Sequence, residues 1–163
     1  MSLKADYFKD FEPRITWLEE NDKYLEVFFL QIAIVEMTVD ELIEYYEKWT
    51  TKLLLAKKIN LKPQEYRDSQ FRTGMTMGAK KNYLNFYLQD SEINSLLSKF
   101  IKLRNTAVHQ LHKQNIAEFE KEIKSSQSDN YKLMYKLSEE IIKMIDKKLK
   151  TQKRAAGKLS KRP

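Results

Sequence analysis

Ser91 to His112 reads SEINSLLSKFIKLRNTAVHQLH, and its apolar residues decide the fold class. Ile93, Leu96, Leu97, Phe100, Ile101 and Leu103 recur at spacings of three and four, the period of an amphipathic helix. Asp90 or Ser91 can cap its start, and Glu92 stands in the first turn, where the helix dipole favours an acid. Beyond Leu103 the pattern turns polar: Arg104, Asn105 and His109 arrive together, and His109 and His112 are the only 2 histidines of the chain. On an unbroken helix Arg104 and His109 lie roughly 140° apart around the axis. One regular helix cannot aim both into one pocket. Asn105 and His109, four apart, share a face. Cooperation between Arg104 and His109 therefore needs a distorted helix or a second chain.

The flanking segments carry the same helical period. Residues 5–20 predict a first helix that Pro13 either interrupts or restarts, with Trp17 in the core. Residues 23–58 predict a long helix whose stripe is Phe28, Val35, Val39, Leu42, Tyr46, Trp49 and Leu53, widened by Phe29, Ile32, Ala33 and Ile43. Its length suggests a bend near Met37-Thr38-Val39. Glu36 and Asp40 border the stripe; they either face water or, for Glu36, pair with Arg104 and orient it.

Residues 59–74 form a connector punctuated by Pro63 and Gly74. Arg67, Arg72, Lys80 and Lys81, in it or just after, are either solvated or available to phosphate. Gly78 opens a helix over 77–89, with Met75 and Met77 as packing residues and Tyr83, Leu84, Phe86, Tyr87 and Leu88 as bulk. After the polar break Lys113-Gln114-Asn115, Asn115 caps a helix over 116–124. Ser125 to Asp129 read as a loop. A final helix, 130–152, buries Leu133, Met134, Leu137, Ile141, Ile142, Ile145 and Leu149. The expectation is an all-α antiparallel bundle of about five or six helices in one domain, 1–152, followed by a basic tail, 153–163, without order of its own.

Composition agrees. A chain of 163 residues can bury one core, and 3 Gly with 3 Pro leave little turn chemistry for a β-sandwich. The absence of Cys removes disulfides, thiol nucleophiles and Cys-based zinc sites. Two histidines and no clustered carboxylates disfavour a dedicated transition-metal site. No secretory leader and no apolar run of membrane length are visible, so the expectation is a cytoplasmic protein. The net charge of +7 is uneven. Residues 147–163 hold eight of the 30 basic residues and no acid, leaving 22 against 23 acidic in the body. Residues 1–47 carry 4 basic and 12 acidic groups; residues 48–81 carry 9 and 2. A basic middle and tail fit a nucleic-acid partner, and a solubilising tail fits equally.

Arg104-Asn105-Thr106-Ala107-Val108-His109 resembles the R-x4-6-H motif of the HEPN superfamily, in which a polar residue often follows the Arg. The acid-bearing apolar helix FFLQIAIVEMTVDELI (28–43) and Met75-Thr76-Met77-Gly78 are similar in context, and the resemblance covers roughly residues 23–150. It implies a metal-independent endoribonuclease, needing no cofactor, whose site forms across a symmetric homodimer. Such proteins often act as toxins or phage-defence effectors.

The residue types suit that chemistry. RNA brings its own nucleophile, the 2′-OH. Imidazole, with a reference pKa of about 6.5, serves as acid or base at neutral pH. Arginine offers a charged fork to the phosphate. Asn105 can hold the imidazole or the sugar, and His112 would support the site from one turn further on. Three alternatives stand beside this reading. Arg104 and His109 can simply cap carbonyls and pair with acids. The chain can be a non-catalytic HEPN module for RNA, a nucleotide or a partner such as a nucleotidyltransferase antitoxin. It can also be a helical interaction protein with a basic anchor.

Overall fold

The computed structural model describes residues 6–56, 75–85, 87–88, 91–111, 113 and 115–159. They form α1 (Tyr7–Glu20), α2 (Tyr24–Ala56), α3 (Met77–Asn85), α4 (Ser91–Leu111) and α5 (Ile116–Leu159). No strand occurs among the described residues. The five helices make an all-α bundle.

α1 begins at Asp6, whose carboxylate accepts from the Lys9 backbone N–H at 3.4 Å. It continues through Pro13. The carbonyl that loses its partner there belongs to exposed Lys9, so water can take the place of the missing N–H. The helix stops where Asp22 adopts φ 56. Lys23 N–H then reaches Leu18 O at 2.8 Å and Asp22 N–H reaches Glu19 O at 3.1 Å. That pairing is a Schellman closure with Asp in the left-handed position, and it turns the chain directly into α2.

α2 is the hub. Val27, Phe28, Gln31, Ile34, Val35, Val39 and Leu42 are wholly buried. A helix covered this widely must have neighbours on several sides, and α1, α3 and α5 all pack on it. Directions follow from side-chain pairs. Lys124 lies over the Tyr24 ring and Lys148 over Tyr46, so α2 and α5 run parallel. The Tyr7 hydroxyl donates to Glu41 at 2.6 Å, so α1 runs back along α2. Lys136 pairs with Glu92, and Gln110 donates to Glu122, so α4 and α5 are antiparallel. The four long helices thus alternate in direction. Tyr87, just past α3, stacks on Tyr46 at 4.6 Å and covers the far end of α2.

Several expectations are corrected. Trp17 is 48% exposed and lies against Arg14 at 4.6 Å. It shares α1 with the inward residues Phe8, Ile15 and Leu18 but occupies the opposite side. Ala33 is exposed and Trp49 is 38% exposed, so the α2 stripe is narrower there than the pattern suggests. α2 runs unbroken where a bend was expected; the Thr38 hydroxyl bonds back to Ile34 O at 2.9 Å inside it. α3 ends at Asn85 instead of residue 89.

The largest difference is α5. Asn115 caps it as expected, accepting from Ala117 N–H at 3.0 Å. The loop expected over 125–129 is helix. Ser and Asn disfavour helices when their side chains draw the backbone elsewhere. Here the Ser125 and Ser126 hydroxyls bond to Glu122 O within the helix. Asn130 donates to Ser126 Oγ, and Gln127 to Glu19 on α1. The competing groups are satisfied in place. α5 also continues to Leu159, so residues 153–159 are helical where the sequence predicts no regular structure. The connector 57–74, with Arg67 and Arg72, lies outside the described residues, as do Phe86 and His112.

Candidate functional site

α4 is continuous from Ser91 to Leu111, so nothing in its backbone turns Arg104 and His109 toward one another. They keep the roughly 140° separation of a regular helix. Arg104 sits toward the core side, close in rotation to buried Leu97 and Phe100. Its Nε donates to Glu36 Oε1 of α2 at 2.7 Å, with both side chains about one-third exposed. One terminal nitrogen reaches Asn105 Oδ1 at 3.4 Å. Among the described residues the other terminal nitrogen makes no hydrogen bond. The ion pair restrains the guanidinium and leaves one edge of its fork available.

Asn105 and His109 are exposed on the adjoining face. No hydrogen bond among the described residues holds the His109 ring. The site in one chain is therefore an anchored arginine on the flank and an open imidazole on the outer face. They share a helix, not a pocket.

One turn along α2 from Glu36, Asp40 pairs with Lys80 of α3 at 2.7 Å. The Lys80 side chain is buried, 7% exposed by residue, and its ammonium is directed at Asp40. Lys81 donates to Ser98 Oγ of α4 at 2.7 Å, placing a cation beside the α4 face. The two acids that border the α2 stripe thus each hold a cation from a different helix.

The structure adds two residues that sequence reading passed over. Lys99 and Lys102 are exposed on α4 and enter no ion pair among the described residues. With Ser98, Asn105, Thr106 and His109 they fall within an arc of roughly 120° around the helix. No acid lies in that arc. The only acid of α4 is Glu92 in its first turn, paired with Lys136. From Lys99 to His109 the face extends about 15 Å along the axis, on the order of two to three nucleotides of extended backbone. The signal was present in the letters: SEINSLLSKFIKLRNTAVHQL has one acid and three Lys or Arg.

Among the described residues no group of three or more His, Asp or Glu is placed to hold a metal ion, and no helix is long and apolar enough to cross a membrane. Compared with protein-family models, with curated proteins and with solved structures, the chain finds no match.

Proposed function

We propose that the outer face of α4 is an RNA-cleaving site of the HEPN type, completed when a second copy of the chain apposes its own α4. The observation that carries this reading is the Glu36–Arg104 pair beside an exposed, acid-free face bearing Asn105 and His109. A purely structural arginine would have its fork occupied, and a capping histidine would meet a carbonyl. Here an arginine is fixed by one edge and an imidazole is left open.

In a symmetric homodimer two His109 and two Arg104 side chains would face one RNA strand. One imidazole takes the proton of the 2′-OH as that oxygen attacks phosphorus. The bond from phosphorus to the 5′-oxygen breaks, and the second imidazole returns a proton to that oxygen. The free edge of Arg104 meets the charge that builds on the phosphoryl oxygens. Asn105 steadies the ring or the ribose. Lys99 and Lys102 would track the neighbouring phosphates, giving binding that weakens steeply with salt. The resemblance places such a protein among toxins and phage-defence effectors.

One observation favours a second reading. No hydrogen bond orients His109, whereas catalytic imidazoles are usually held. The same face would then bind RNA without cutting it, or dock a protein such as a nucleotidyltransferase antitoxin. A ribonuclease assay with EDTA present separates the two. Cleavage by the wild-type protein that disappears in His109→Ala supports the enzyme. Equal RNA binding by both proteins, with no cleavage by either, supports the binding module.

A further inference from the structure

α1 and α5 enclose a cleft of about 510 Å³ on the side of the bundle lined by the first helix. Phe8 and Tyr131 form its aromatic wall, in edge contact at 5.9 Å. Tyr131 also stacks on Tyr135 at 5.7 Å, and both tyrosines stay more than one-third exposed. The polar lining consists largely of acceptors. Glu12 is exposed and has no partner among the described residues. Glu19 accepts one hydrogen bond, from Gln127 Nε2 at 2.9 Å. The other atom of that amide, Gln127 Oε1, is buried and accepts none.

The single cation of the lining, Lys124, is held by Asp22 at 2.8 Å, with its ammonium over Tyr24. Burial pushes the Tyr131 phenol up from 10.0, and Tyr135, Glu12, Glu19 and Asp6 push it further, so the hydroxyl remains a donor in a negative field. Carboxylates, a lone buried acceptor and ring faces are together what an N–H-bearing cation with a short apolar body requires.

We infer that the α1–α5 cleft binds an alkylammonium group, its head set between Glu12, Glu19 and Gln127 Oε1 and its methylenes on Phe8 and Tyr131. The head can belong to a free diamine or to a lysine side chain of a peptide, and the two sources present the same chemistry. This site is separate from the α4 face and does not depend on the proposed activity.

Calorimetric titration of the full chain tests it with three probes. These are 1,4-diaminobutane, Nα-acetyl-lysine methylamide and the uncharged 1,4-butanediol. Saturable binding of either amine, without binding of the diol, is the expected result. Preference for the diamine assigns a free amine, and preference for the lysine derivative assigns a peptide. Glu12→Gln with Glu19→Gln should weaken binding about tenfold or more, as expected for losing charge-assisted hydrogen bonds. Tyr131→Leu should weaken it while leaving the helical spectrum intact. Diol binding equal to amine binding, unchanged affinity in the double variant, or no saturable binding of either amine would overturn the inference.

Discussion

Glu36 and Arg104 meet where α2 passes α4, and that contact sets what each can do. A half-buried guanidinium bonded through Nε cannot swing freely, so its remaining edge points in a limited direction. Glu36→Gln should therefore lower the cleavage rate more than it weakens RNA binding, and less than Arg104→Ala does. Single-turnover rates beside binding isotherms check the order. Arg104→Ala itself should cost on the order of 10²-fold or more, since transition-state contacts of this kind contribute that much.

A second residue-scale expectation concerns Tyr7. Desolvation and the hydrogen bond to Glu41 push its phenol up to about 12 from 10.0. The unfolded chain then loses this proton first as pH rises. The stabilising contribution is full below pH 10 and is lost between about 10 and 12. Urea titrations at pH 9 and pH 11 should show a larger loss for the wild type than for Tyr7→Phe. Equal losses would mean that the Glu41 contact does not favour the neutral phenol.

At the scale of elements, the helices with strong apolar period were legible from the letters, and α4 and the start of α5 fall where the spacing puts them. Polar residues misled where their partners lie elsewhere in the fold. Ser125 to Asp129 look like a loop until Gln127 is seen to reach Glu19 and the serine hydroxyls to bond inside the helix. Trp17 looks like core until α1 is seen to bury only the Phe8, Ile15 and Leu18 side. The same limit applies to the site. The Glu36–Arg104 pair was readable as one of two options, because an acid beside an apolar stripe either faces water or finds a cation. That Asp40 takes Lys80, and that Lys99 and Lys102 stay open, depends on packing between helices that no local pattern encodes. Continuity of α5 has a direct test. Ser128→Pro should destabilise the protein by about 3 kcal/mol, the cost of proline inside a helix. In a loop the same change would be nearly neutral. The midpoint of urea unfolding distinguishes the two.

For the whole molecule, the distribution of charge and aromatic rings matters more than the net +7. Acids of the first helix gather around the α1–α5 cleft, while the α4 face holds cations and no acid beyond Glu92. Such a molecule can carry two separate recognition surfaces of opposite sign. A continuous α4 also bears on assembly. With Arg104 and His109 roughly 140° apart on one helix, convergence requires a second α4. Light scattering should give a dimer at micromolar concentration. A strictly monomeric protein that still cleaves RNA would rule out the composite site. The most direct test of RNA cleavage at this face is analysis of product ends. The substrate is an oligoribonucleotide incubated with the wild-type protein in EDTA, beside the same sequence with 2′-O-methyl at every ribose. The proposed chemistry predicts 2′,3′-cyclic phosphate and 5′-hydroxyl ends from the unmodified RNA, none from the methylated strand, and loss of both products in His109→Ala. Cleavage of the methylated strand, or products unchanged in His109→Ala, would contradict it.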